Sequence, residues 1–327
     1  MAHQTLKSSY ENLVERLNRA PQGAPPSELL YKILEMLFSE REAGLVALLA
    51  FLTWWQTNEI GTPGPESPAH YLIPLLLLSG CFVLYVRTLA PDILPADNGE
   101  FQLVATNLGV AHPPGFPLYT MLANLMTRLP VGPTPASRVN LFSAVTSTLA
   151  LAAVYTSVYK LTKRILPAAA ATFILATATT YWAQATTANI RSMTALFAAL
   201  IFLTLVLFYI EMKKEKAGAI ESHADRTLIL FALVLALGVT HHASLAFLGL
   251  IAVIFVLIVD VSILRSPSRW WRPILAFLIG LLPLLYLPLR ANADVRGASP
   301  SLATIQGFLE HVLATGFRGD LFVYLEP

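Results

Sequence analysis

Seven apolar blocks divide this chain, at roughly 71–90, 139–158, 166–184, 193–211, 227–240, 244–261 and 273–289. A helix of about 20 apolar residues crosses the hydrocarbon core of a bilayer, because a helix pairs its backbone amides internally. The pattern therefore predicts an all-α polytopic membrane protein with about seven transmembrane helices. The fifth and sixth blocks are short and meet at His241-His242. Ahead of them, 8–19 and 27–40 have the spacing of two short amphipathic helices, with Pro21 to Pro26 between them and Ser27 as a cap for the second. Residues 44–55 are apolar but too short to span. They end on Trp54 and Trp55, which suit the headgroup layer, and read as an interfacial helix. The expected division is an N-terminal interfacial segment and linker, 1–70, and a transmembrane domain, 71–327.

The first large loop, 91–138, has structure of its own. Residues 99–109 can form a short helix with Asp97 near its amino end, where a carboxylate is favoured. His112-Pro113-Pro114-Gly115 is a rigid turn, and 117–129 is an amphipathic helix suited to the membrane interface.

Composition supports the membrane class. The chain has 327 residues, 55% of them hydrophobic and 13% charged, against roughly a quarter charged in soluble domains. Its mean hydropathy is +0.61. Cys81 is the single cysteine, which excludes an intrachain disulfide and a cysteine metal site. Residues 1–43 are polar and mixed in charge, unlike a signal peptide. The net charge of +2 is unremarkable, and no nucleic-acid partner is expected.

The distribution of charge says more than its sum. Lys160, Lys163 and Arg164, then Lys213, Lys214, Lys216 and Arg226, then Arg265, Arg269 and Arg272 fill alternate loops, which should be cytoplasmic together with the amino terminus. The loop 91–138, the 185–192 loop, the His241-His242 turn and the tail after Arg290 would then meet on the outer face of a multi-pass protein of the cell (inner) membrane.

Candidate chemistry gathers on that face. Asp97 and Glu100 are one helical turn apart and suit a general base and its helper; a helix cap and a solvated acid are the plain alternatives. His112 stands ready for a phosphate oxygen or an acceptor, or packs as a turn histidine. His241 and His242 lie between apolar blocks, where histidines are costly unless satisfied. Arg138 and Arg290 run against the positive-inside bias and could grip a phosphate in bidentate fashion, or snorkel to headgroups. A divalent cation, if one is used, would sit on Asp97 and Glu100.

Thr88-Leu89-Ala90-Pro91, Asp97-x-Gly99-Glu100-Phe101, Leu108-Gly109-x-x-His112-Pro113-Pro114-Gly115-x-Pro117-Leu118-Tyr119 and Arg138-Val139-Asn140-Leu141 together resemble one family. So do Trp182-x-Gln184-Ala185, the Gly238–His242 segment and Leu284-Leu285-Tyr286-Leu287-Pro288-Leu289-Arg290. It is a bacterial family of the GT-C superfamily of integral-membrane glycosyltransferases, related to animal endoplasmic-reticulum protein O-mannosyltransferases. The resemblance spans roughly 80–320. It implies an inverting transferase that moves a hexose, mannose by analogy, from a polyprenyl-phosphate donor to a hydroxyl of a protein or glycan acceptor. Asp97 would take the acceptor proton, Arg138 or Arg290 would hold the departing phosphate, and the partners would be membrane lipid, donor and acceptor. Two departures bear on this. Asn189 stands where the family usually has a glutamate, and the chain stops at Leu325-Glu326-Pro327, so the 71–327 domain reads as truncated at its C-terminus. A catalytically inactive or structural membrane subunit on the same fold is the second reading. A transporter ranks last, because no paired broken helices in symmetric halves are visible.

Overall fold

A computed structural model describes residues 68–218 and 222–315. The amphipathic segments 8–19 and 27–40, the interfacial segment 44–55 and nearly all of the linker lie outside the described residues. Twelve α-helices and no strand are present among the described residues.

Helix α1 (Ala69–Arg87) is the first span and fits the predicted block. It leads into α2 (Ala96–Asn107), α3 (Pro117–Thr127) and α4 (Pro135–Thr162). Helix α2 starts three residues earlier than predicted, directly after extended Pro95, and stops at left-handed Leu108. Helix α4 has a reciprocal cap: Thr134 Oγ1 accepts from Ser137 N–H, Ser137 Oγ accepts from Thr134 N–H, and Pro135 occupies the first turn.

The remaining helices are α5 (Ile165–Thr177), α6 (Thr179–Ala185), α7 (Arg191–Lys216), α8 (Ala224–His241), α9 (Leu245–Val259), α10 (Trp271–Gly280), α11 (Tyr286–Arg290) and α12 (Ile305–Val312). Five segments are long and apolar enough to cross a membrane, or six if a bent pair counts as one. The expectation of about seven is trimmed at two places. The block 166–184 is broken at extended Ala178, so that α5 and α6 diverge by 72°. The turned piece is held sideways: Tyr181 Oη donates to Ser147 O at 2.7 Å and Trp182 Nε1 donates to Thr88 Oγ1 at 2.9 Å. The block 244–261 gives only the 15-residue α9, about 22 Å long at 1.5 Å per residue.

Helix α4 packs along α7, α7 along α8, and α8 along α10. Helices α2 and α3 pack against each other and against the end of this bundle, both on α4 and α3 also on α8. Phe101 is the pin. Its ring meets Phe116 and Tyr119 edge-on, both at 5.5 Å between centroids, and all three side chains are buried. Truncating such a core aromatic to alanine typically costs about 3–5 kcal/mol.

Candidate active site

One end of the bundle collects the four segments that loop charge had grouped together. Ala90 N–H donates to Thr186 O, His241 Nε2 lies 3.0 Å from Ile190 O, His242 packs on Phe116 at 5.9 Å, and Arg290 Nε donates to Leu108 O at 2.9 Å. At this end Asp97, Glu100 and His112 each present a ligand atom, all within 4.8 Å of one another.

Glu100 and His112 form a two-point pair. His112 N–H donates to Glu100 Oε1 at 2.8 Å and His112 Nδ1–H donates to Oε2 at 2.7 Å. A carboxylate only accepts, so this contact puts the imidazole proton on Nδ1 and leaves Nε2 as the second functional atom. The His112 side chain keeps 35% of its surface exposed and Glu100 keeps 21%. Asp97, in the first turn of α2, is exposed and has no side-chain partner among the described residues.

The helix that carries both acids is positioned by two amides. Asn140 is fully buried; its Oδ1 accepts from Gln102 Nε2 at 2.8 Å and Ala188 N–H at 3.0 Å, while Nδ2 donates to Ala90 O at 2.8 Å and Asp92 O at 3.2 Å. Gln102 Oε1 accepts from Leu94 N–H at 2.9 Å, folding the 90–95 strap over the start of α2. A Cβ at Gly99 would overlap the Leu94 carbonyl, so this strap also requires glycine there. Asn140 belongs to the resembling string Arg138-Val139-Asn140-Leu141, but nothing in the sequence marks its role as a hub or that of Gln102. Paired buried amides at such separations leave no local signal.

The other expected residues are dispersed. Arg138 is spent on the loop after α3: it donates through Nη1 to Thr127 O and through Nε to Val131 O, both at 2.7 Å. His241 is fully buried among Tyr119, Phe116 and Phe197, with Nε2 also 3.0 Å from Thr194 Oγ1. His242 Nδ1 contacts Ser244 Oγ at 2.7 Å, and burial holds its imidazole below the usual histidine range, so it is neutral near pH 7. Arg290 caps the left-handed end of α2. Asn189 is buried and structural: its Nδ2 donates to Gln184 O at 2.7 Å and Thr187 O at 2.6 Å, and its Oδ1 accepts from Ser192 N–H at 3.1 Å.

Fold and site together define a polytopic membrane protein with an acid–histidine cluster at one end of its helices. The family described as "Protein O-mannosyl-transferase TMEM260 N-terminal domain" matches residues 97–265, just over half the chain, and the chain belongs to it. It is 30% identical over 231 residues to the protein O-mannosyl-transferase TMEM260 of Mus musculus, covering 70% of this chain and 32% of that one. It is 24% identical over 261 residues to the protein O-mannosyl-transferase tmem260 of Dictyostelium discoideum, covering 76% and 31%. The chain thus spans about a third of the length of these curated relatives. No solved structure matches.

Proposed function

We propose that this chain is the membrane core of a GT-C-type protein O-mannosyltransferase, taking mannose from a polyprenyl-phosphate donor at the outer membrane face. The observation that carries the reading is the exposed Asp97 carboxylate beside the Glu100–His112 pair. The names of the relatives support the sugar and the protein acceptor, and loop charge supports the face. In the reaction the acceptor hydroxyl oxygen bonds to the anomeric carbon, the bond from that carbon to the phosphate oxygen breaks, and Asp97 takes the hydroxyl proton. Polyprenyl phosphate leaves with the bonding electrons, and the configuration inverts. Glu100 fixes the His112 ring so that Nε2 faces substrate. Arg290 suits the phosphate better than Arg138, whose guanidinium is occupied by loop carbonyls.

Two carboxylates and an imidazole also fit a hard divalent cation, which would offset phosphate charge when bound. Because His112 Nδ1 already faces Glu100 Oε2 at 2.7 Å, a cation between them must displace that proton. Transfer that is insensitive to chelator would remove the cation from the proposal.

The test of the main reading is Asp97→Asn. Transfer from a mannosyl polyprenyl phosphate, measured in membranes, should fall by about 10²–10⁴, the usual worth of a general base. Undiminished transfer would overturn the role. A catalytically silent subunit is favoured by one observation, the amide of Asn189 in the position where the resemblance puts an acid. Transfer by the wild-type chain would remove that reading.

A further inference from the structure

The turn that carries His112 has one closing bond of its own, Gly115 N–H to His112 O at 2.9 Å, and Glu100 holds the histidine; its ends are held from elsewhere. It runs from Leu108 to Phe116, and both ends are non-glycine residues in the left-handed region, with φ of 51° and 43°. Such a backbone costs roughly 1–2 kcal/mol at each residue and persists only where the surroundings enforce it.

The enforcing contacts come from far along the chain. Tyr286 Oη donates to Gly109 O at 2.8 Å, Arg290 Nε donates to Leu108 O at 2.9 Å, and Val110 N–H donates to Arg296 O at 2.9 Å. Three successive residues of the turn are therefore each tied to 286–296. Val110 also shares an apolar cluster with Tyr286, Leu287, Ala291 and Leu302, with Phe308 and Val312 of α12 packed against it. At the other end of the turn, a Cβ on Gly115 would lie 2.9 Å from His311 Nε2 and 2.9 Å from Leu287 Cδ2. Glycine at Gly115 thus serves two ends: it accepts φ +89° and lets α11 and α12 seat directly against the turn. His311 Nε2 is buried there without a hydrogen-bond partner among the described residues and fills space against Gly115, while the ring also meets the backbone of Ala111 within the turn.

We infer that residues 286–312 form a brace that sets the position of His112, with Tyr286 and His311 as positioning residues for the site. The brace lies wholly past the matched residues 97–265. Its effect on transfer rests on the function proposed above; its hold on the turn does not.

The two can be separated experimentally. Hydrogen exchange of the 108–116 amides would be followed by mass spectrometry on the full chain in lipid nanodiscs, for wild type, Tyr286→Phe, His311→Ala and Leu289→Ala. Tyr286→Phe keeps the ring and removes one bond, so about fivefold faster exchange is expected in the turn. His311→Ala opens space behind Gly115 and should also speed exchange. Leu289, 80% exposed on the same helix as Tyr286, should leave exchange unchanged. In transfer assays the two brace variants should lose kcat by on the order of tenfold with donor KM little changed, as displacement of a reacting group does. Unchanged exchange in both variants overturns the brace. Faster exchange with unchanged transfer upholds the brace and removes His112 from the proposed reaction.

Discussion

Two of the charge clusters at helix ends differ in how they are satisfied. At the candidate site, among the described residues, Asp97 is exposed and without a partner, while the Glu100 carboxylate and the His112 ring bond each other. At the far end of α8 and α9, Asp260 is 5% exposed; its Oδ1 accepts from Ser262, and Oδ2 accepts from Arg269 Nη1 at 2.7 Å. Arg269 Nε also donates to Asp225 Oδ1 at 2.7 Å. A buried carboxylate persists only when its charge is matched and its lone pairs are used. The far cluster obeys that rule completely and so reads as a latch joining α8, α9 and the start of the last span. Among the described residues the near cluster leaves an acid without a partner beside a fixed histidine, the arrangement that the proposed chemistry would use.

The sharpest test crosses the two. Asp97→Asn should abolish most transfer while shifting stability by no more than about 0.5 kcal/mol, as for an exposed residue without partners. Arg269→Ala should do the reverse. It strands Asp260 in a buried site, and losing one partner of such a pair typically costs about 3–5 kcal/mol. Since Arg269 retains 19% exposure, the lower end is expected. Thermal unfolding in detergent beside transfer in membranes measures both. Equal stability losses in the two variants would break the contrast.

A smaller effect is expected at Asn189, which sits near the site yet behaves like the latch. Asn189→Asp removes both donated bonds and points a carboxylate at the Gln184 and Thr187 carbonyls. A cost of about 1–3 kcal/mol follows from leaving buried acceptors unpaired. If the variant is as stable as wild type, Asn189 is not the structural residue its bonds indicate, and an acid would be admissible there.

What could be read from sequence follows the same division. Spans are legible because apolar blocks are local. The pairing of Asp97 with Glu100 was legible because they are a helical turn apart; that His112 would turn back onto Glu100 was not, because only the folded 108–116 turn brings it there. The break at Ala178 was not, since no proline or glycine marks it; the cause is Tyr181 and Trp182 reaching other helices. Arg138 looked like a free cation because nothing local tells that carbonyls of Thr127 and Val131 will curl around it. The Asn140–Gln102 hub and the Tyr286–Gly109 bond join residues 38 and 177 positions apart, and only the fold creates them.

The least effect is expected from pH, and it concerns the latch alone. Burial pushes the Asp260 carboxyl up, but the hydrogen bonds from Ser262 and Arg269 and the Arg269 charge outweigh it and hold the group below the usual carboxylate range. The unfolded chain would titrate Asp260 near the ordinary value of about 3.9. Folding therefore favours the ionised form, and this contribution is fully present above about pH 4. It is lost as pH falls below that value and through the depressed pKa of the folded state, because the folded state must then take up a proton it disfavours. Asp260→Asn should start less stable, since Arg269 loses a charged partner, and should lack this part of the acid-dependent decline. Unfolding temperatures of wild type and variant, compared between pH 6 and pH 3, would show the two curves converging as pH drops. Parallel curves would mean that the latch carries no net charge coupling, and that its residues are held by packing alone.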